Sequence, residues 1–306
     1  MSAYTYPMPI SVGKLPTEQI HLLLARPDLI GKRLATLMDN KFVADFLLQG
    51  RFEARGGTIL YETGEEIFAA DAPESISPGG EYPRTVLTRG EVSAARTTKW
   101  GIQTEITDEA IARQGMDPVE RALGRLANTV VKHVDSVAMA VIASKVSSEV
   151  AGTGPWTSVQ RIVTSLIGAR TQKEDLDLGI SLDTVALSPL DYANVMGLFL
   201  NAGVLPRENN NPMLSGELPP NLLGWTWVPS QHVPGGDPWV FDRTLLGGMA
   251  DEDLRSPGYT KAGRFGVEVK VERISSRDAY EPRARRVTVP VVLEPLAGAR
   301  LTGTRA

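Results

Sequence analysis

Cysteine is absent from this 306-residue chain. That removes disulfides, thiol nucleophiles, thiolate zinc sites and iron–sulfur clusters together. Histidine is nearly as scarce. His21, His133 and His232 lie far apart, and none stands in an H-E-x-x-H or similar metal-binding spacing. A dispersed trio reads as surface or core filling, so no metal and no cofactor is expected. Long apolar runs are also missing. The longest, residues 137–143, has seven residues, against the ~18 that a membrane helix needs. Residues 1–10 lack the basic start and apolar stretch of a signal peptide. The expectation is a soluble chain that stays in the cytosol that makes it.

There is no excess of basic charge either. The 32 Lys/Arg against 36 Asp/Glu give a formal net charge of −4, whereas dedicated nucleic-acid readers usually carry a basic surplus. The charge is unevenly placed. Residues 254–306 hold eleven Lys/Arg and five Asp/Glu, a local +6 that leaves −10 for the rest. Such a split suits self-association, one copy's basic patch meeting its neighbour's acids. A solvated basic strand face accounts for it equally well. With 42% hydrophobic and 22% charged residues, the composition is that of a folded protein with one large core or two ordinary ones.

Residues 1–16 contain Pro7, Pro9, Gly13 and Pro16, too many breakers for a regular element. From Thr17 the pattern is helical, with Ile20, Leu23 and Leu24 on one face. Pro27 and Asp28 open a second helix carrying Ile30, Leu34, Leu37 and Met38. Residues 58–106 read as extended: a short strand from Thr58, then a longer one over 84–106 with Trp100, Ile102, Thr104 and Ile106 on one side. Between them, residues 69–83 hold Pro73, Pro78, Gly79, Gly80 and Pro83. The whole is a long two-stranded arm with an irregular tip. An isolated ribbon of two strands is marginal in water, so it needs a surface to lie on, and another chain can supply one.

The strongest helical signal follows. Asp117 as N-cap, Pro118 at the first position and Glu120 completing a capping box introduce Val119, Leu123, Leu126, Val130, Val134, Val137 and Val141. A helix to about Ser148 would be roughly 45 Å long at ~1.5 Å per residue, a structural spine ended by Gly152-Thr-Gly-Pro. Downstream, residues 158–172 are amphipathic and Thr184-Val-Ala-Leu is a short strand. Ser188-Pro189 caps a helix through Leu200, ended by Asn201 and Gly203. Residues 209–220 are a polar loop, and Trp225-Thr-Trp-Val is a strand by composition. Gly235-Gly236-Asp237 predicts a hairpin turn into Trp239-Val-Phe. Residues 266–274 and 287–293 predict a β-hairpin about a turn at 275–286, with Pro290 marking an edge.

No P-loop, G-x-G-x-x-G, G-x-S-x-G or EF-hand motif is present. Glu62, Glu65 and Glu66, or Asp251-Glu252-Asp253, could supply paired carboxylates, but without a histidine or metal motif they read as loop charge. A site built from residues scattered along the chain stays open as the enzyme alternative.

One succession of segments carries a family resemblance. The return strand Lys99-Trp-Gly-Ile-Gln-Thr-Glu-Ile-Thr-Asp-Glu109 runs into the helix over 117–135. Upstream lies the tip Ala72-Pro-Glu-Ser-Ile-Ser-Pro-Gly-Gly-Glu-Tyr-Pro83. Downstream come Val185-Ala-Leu-Ser-Pro-Leu-Asp191 and the ending Glu294-Pro-Leu-Ala-Gly-Ala-Arg-Leu-Thr-Gly303. In this order, over roughly Gly57 to Gly303, the chain resembles the major capsid proteins of tailed bacteriophages with the Hong Kong 97-like fold. No single motif is specific; their order is.

The resemblance implies an α+β fold: an N-terminal arm (1–56), an extended loop (57–106), a peripheral domain with the spine helix (107–151), an axial domain (152–250), and a return to the peripheral domain with a C-terminal strand (251–306). It implies no enzymatic activity but self-assembly, hexamers and pentamers of one chain closing an icosahedral shell around double-stranded DNA. It places the protein in the virion, after assembly in the host bacterial cytoplasm. A portal protein, a decoration protein and the packaged DNA would be partners, with no membrane. Only some 56 residues precede Gly57, so a separate scaffolding protein is expected rather than a cleaved internal one. Some family members cross-link through a lysine of the extended loop; here no lysine lies between Lys41 and Lys99, and no such bond is expected. Inter-subunit contact candidates are Glu65, Glu66, Pro78, Gly79, Gly80, Arg84, Lys99 and Trp100 on the loop, and Arg283, Arg285 and Arg286 against a neighbour's acids. An encapsulin-like nanocompartment shell with an enzyme cargo shares the fold; the long loop and wide N-terminal region favour the phage.

Overall fold

The computed structural model describes residues 15–38, 42–63, 75–76, 79, 81–82, 84, 90–203, 218, 222–263 and 266–305. The N-terminal region is helical where the spacing says so. Helices α1 (Thr17–Leu24) and α2 (Pro27–Met38) bury Ile20 and Leu24, and Ile30, Leu34 and Met38, respectively. A short α3 (Val43–Leu47) and strand β1 (Gly50–Glu53) follow. The described part of residues 1–56 is therefore no free arm. Its helices pack on the body, and β1 pairs in parallel with β10 (Gly247–Asp251). Gly50 faces Gly248 there, and a Cβ on Gly248 would sit 2.3 Å from the Gly50 carbonyl oxygen. Only glycine permits that approach.

The spine helix α5 runs over Asp117–Lys145, ~43 Å at ~1.5 Å per residue. Val119, Leu123, Leu126, Val130 and Val134 are buried, and the stripe continues through Ala138, Met139 and Ile142, with Val137 and Val141 at its flank. The helix is long and apolar enough to cross a membrane by length and composition; here its stripe packs against α2 and the sheet below it. Two expectations fail at its ends. Met116 is the N-cap and no side chain caps it, because Glu120 turns outward to Arg33 (2.8 Å) instead of back to the first turn. The helix stops at Lys145, before Gly152, because residues 149–151 leave it as strand β6 (Glu149–Ala151).

The larger sheet is organised by one strand. β13 (Ala279–Val292) pairs on one side with β12 (Val267–Ile274) and then β10, and on the other with β5 (Ile106–Thr107) and β4 (Thr98–Gln103). β11 (Thr260–Ala262) closes the order β1-β10-β13-β12-β11. The expected hairpin exists, but its turn is residues 275–278 and not 275–286; the arginine-rich stretch before Val287 is strand. This polar stretch can be strand because Arg285 and Arg286 are buried against acids. Pro290 pairs only with β10, through Met249, at the end of β13 that β4 does not reach. The missing N–H therefore costs no ladder bond on the open side.

The long return strand is broken. β2 (Thr58–Thr63) pairs with β3 (Glu91–Arg96) as a two-stranded ribbon, whereas β4 belongs to the larger sheet. After β5, Thr107 caps α4 (Asp108–Gln114) through its hydroxyl.

A second sheet has the order β6-β14-β9-β7-β8, with β14 (Gly298–Thr302), β9 (Trp239–Phe241), β7 (Thr184–Leu187) and β8 (Thr226–Pro229). Helices α6 (Val159–Glu174) and α7 (Pro189–Asn201) are capped by Ser158 and Ser188, each accepting a backbone N–H three residues on. β8 and β9 flank β7 on opposite sides, so Gly235-Gly236-Asp237 turns the chain without making a hairpin between them. A short α8 (Arg243–Leu246) and a 3-10 turn (Pro295–Ala297) link the two sheets. Trp239, Phe241 and Ala297 share the spine's core cluster, joining the sheets. The loop expected at 209–220 lies almost wholly outside the described residues.

Candidate assembly surfaces

The ribbon leaves two large apolar side chains uncovered. On one face Leu60 is 71% exposed and Val92 61% exposed, with Ala94 exposed between them. The opposite face carries Ile59, Tyr61 and Ala95, which pack at the root against Ala54, Ala250 and Val291. Gly56 and Gly57 start the ribbon with φ of +65° and +80°, a turn that side chains resist. Glu252, just past β10, clamps both strands: its carboxylate accepts the Gly57 N–H (3.0 Å) and the Thr97 hydroxyl (2.7 Å). The Thr97 N–H donates to the Gly57 carbonyl at 3.0 Å. A charge-assisted pair of bonds fixes the angle at which an otherwise exposed ribbon leaves the body.

Of the contact candidates, Gly79 and Arg84 are exposed, and Lys99 is exposed on β4. Trp100 is half-buried and packs edge-on against His133 of the spine, ring centroids 4.2 Å apart. Glu65, Glu66, Pro78 and Gly80 lie outside the described residues. Arg283 is bound within its own chain, to Gln103 (2.8 Å) with Glu272 and Glu281 nearby.

Arg285 and Arg286, expected at the surface, are buried. Arg285 is 4% exposed, sits 3.5 Å from the Tyr259 ring centroid and donates to Glu268 at 2.7 Å. Arg286 is fully buried. Its Nη1 and Nη2 reach Asp45 at 2.6 and 2.8 Å, and its Nε and Nη2 reach Asp251 at 2.9 and 3.0 Å. Burial opposes its charge, but the bonds and charge of Asp45, then of Asp251, hold the guanidinium above its ordinary pKa. Asp45 also pairs with Arg51. These arginines join α3, β10, β12 and β13 within one chain.

Beside this network, Asp135 of the spine accepts the Ala44 and Val43 N–H groups at 2.9 and 3.3 Å, capping α3 from outside. Burial pushes its carboxyl up to about 6 despite those two bonds, and the charge of Asp45 adds to the effect. No sequence signal marked Asp45 or Asp135, because the Asp135–Ala44 and Asp45–Arg286 bonds join residues about 90 and 240 apart.

The charge split is also consumed internally. Nine of the eleven cations of residues 254–306 (Lys261, Lys270, Arg273, Arg277, Arg283, Arg285, Arg286, Arg300, Arg305) sit in ion pairs of this chain. Most of the acids come from earlier in the sequence, such as Asp45, Asp108 and Asp191. Most of the tail's cations therefore already have an acid beside them within the chain. Among the described residues no group of acids or histidines is placed to hold a metal ion.

A spine helix laid along a sheet, a second sheet at the spine's far end and a ribbon projecting from the body together define the Hong Kong 97-like α+β capsid fold. Residues 90–301, more than half of the chain, match the model of the family described as "Phage capsid protein". The chain belongs to that family: it is a structural capsid protein, and its place is the virion. The solved capsid structure of the cyanophage P-SCSP1u is similar at a TM-score of 0.57 and 14% identity, covering 84% of this chain and 86% of that one. The capsid of Myoviridae phage XM1 gives 0.51 at 12% identity, covering 85% and 92%. A virus-like particle from Pyrococcus furiosus gives 0.53 at 10% identity, covering 88% and 97%. At these identities the likeness is one of fold. Among curated proteins, none matches the sequence.

Proposed function

We propose that this chain is the major shell subunit of a tailed-phage head, assembling as hexamers and pentamers into an icosahedral shell around double-stranded DNA, with no catalytic step of its own. The observation that carries the reading is the ribbon: a strand pair fixed at its root by Glu252, with Leu60 and Val92 largely exposed. Two strands with an open apolar face are marginal alone, and a neighbouring copy supplies the missing cover. Lys99, Arg84 and the residues about Gly79 are the contacts to test first. A separate scaffolding protein, a portal and a decoration protein complete the proposed assembly in the bacterial cytoplasm.

The test is particle mass and shape, by sedimentation with negative-stain microscopy, for the chain made alone and with the scaffolding candidate of its gene neighbourhood. Closed megadalton shells are expected. A stable small oligomer under both conditions would overturn the reading. Shells that enclose an enzyme rather than DNA would move the protein to the nanocompartments.

A further inference from the structure

The outward face of the spine carries cations that the chain does not pair. Arg121, Arg125 and Lys132 are exposed on α5, and among the described residues none of them stands in an ion pair. Arg121 donates to the backbone carbonyl of Asp117 at 3.3 Å and to the side-chain oxygen of Gln114, both neutral acceptors. At ~100° per residue the three cations share one stripe, ~100° wide, with Asn128, Thr129 and Ser136; all of these are exposed. From Arg121 to Ser148 the sequence holds one acid, Asp135, which is buried and bound to α3. Asp117 and Glu120 stand before the stripe, in the first turn, where Glu120 is taken by Arg33.

This face is at odds with the rest of the chain, which pairs nine of its eleven C-terminal cations. Arg121 and Arg125 are like charges one turn apart and lie toward the positive end of the helix dipole, and both circumstances oppose the helix. An anion laid along the stripe reverses both.

The lining says which polyanion fits. The stripe has no exposed apolar or aromatic side chain. An acidic helix docks through apolar anchors, and single-stranded nucleic acid through stacked aromatics; neither is on offer. A duplex backbone needs neither, because Arg, Lys, Asn, Ser and Thr are the side chains that hold phosphate oxygens. Arg121 to Lys132 spans ~16 Å along the helix, the length of about five base pairs at ~3.4 Å each.

We infer that the Arg121–Arg125–Lys132 stripe of the spine docks the phosphate backbone of double-stranded DNA, without reading its sequence. The inference rests on the shell reading for the source of that DNA and names the face of the subunit that meets it. Three cations neutralise at most three phosphates, so one subunit binds weakly, and log K falls against log [Na⁺] with a slope of about −2.7, about −0.9 per phosphate. Copies arrayed in a shell add their contacts.

Retention of the full-length, unassembled subunit on immobilised duplex DNA reads such weak binding at low protein concentration. Wild type should show the slope of about −2.7. Arg121→Gln, Arg125→Gln and Lys132→Gln should each remove about 0.9 of it, and the triple variant nearly all. A charge-matched triple at exposed cations elsewhere, Arg26→Gln with Arg161→Gln and Arg255→Gln, should keep the wild-type slope to within about 0.9. Equal losses in the two triples would overturn the inference, since retention would then follow overall charge. Stripe-dependent retention on immobilised poly-L-glutamate, with none on DNA, would overturn it in favour of an acidic protein segment. Sedimentation and negative-stain images of wild type keep the two readings apart. Shells from a subunit whose DNA retention ignores the stripe refute the stripe alone, and stripe-dependent retention without shells refutes the shell alone.

Discussion

Removing the Arg286 guanidinium separates two roles that the arginine-rich tail could play. In Arg286→Met the aliphatic bulk stays and four hydrogen bonds to Asp45 and Asp251 are lost. The Asp45 side chain is 1% exposed, so water cannot replace them; Asp251 is 23% exposed and can partly rehydrate. Breaking a buried pair from one side costs ~3–5 kcal/mol. The lower end applies, because Arg51 remains beside Asp45. At ~2–4 °C per kcal/mol for a chain of this size class, the unassembled subunit should melt ~6–12 °C lower, followed by circular dichroism at a concentration where sedimentation shows no assembly. Adding Asp45→Asn should recover part of the loss, with a coupling of ~0.5–3 kcal/mol in the double-mutant cycle. A contact arginine would behave in the opposite way, weakening assembly while the subunit's midpoint stayed put. An unchanged midpoint for Arg286→Met would refute the internal role.

Other consequences can be measured on the same preparations. Asp135 titrates near 6 in the folded chain against an ordinary 3.8. Between those values the folded state keeps a proton that the unfolded state releases, so its contribution falls as pH rises from about 4 to about 6. Denaturant titrations of wild type and Asp135→Asn should show a pH-dependent difference over that window, up to roughly 3 kcal/mol at ~1.4 kcal/mol per pH unit, and a flat difference would contradict it. Leu60→Asp should abolish assembly while shifting the subunit's melting point by less than about 2 °C, since the site is already solvated; sedimentation beside calorimetry reads both. Glu252→Ala should speed hydrogen exchange at Gly57 and Thr97, the two residues it clamps, without unfolding the larger sheet. Boiled mature shells should run as a single band on a denaturing gel, because residues 42–98 contain no lysine; a ladder of covalent multimers would sink that expectation.

The sequence was most legible where structure is local. α1, α2 and the spine obey their 3.6-residue stripe, and Ser188-Pro189 begins α7 at the expected residue. It was least legible where meaning depends on a distant partner. Strand β13 hid half its length because Arg285 and Arg286 look like turn or surface residues until Glu268, Asp45 and Asp251 are placed beside them. The return strand looked continuous because nothing at Thr97 announces that its two halves pair with different neighbours.

The spine and β13 lie side by side and are nearly equal in length, ~43 Å and ~46 Å at ~1.5 and ~3.3 Å per residue. Together they act as a beam: bending one means breaking the packing of the other. A shell tiled from such subunits must then find its curvature elsewhere. The places left to it are joints at the beam's margins, where Glu252 holds the ribbon by two hydrogen bonds and where residues 146–148 hand the spine over to β6. Subunits in differently curved positions of one shell should superpose closely along the beam and differ in angle at those two joints.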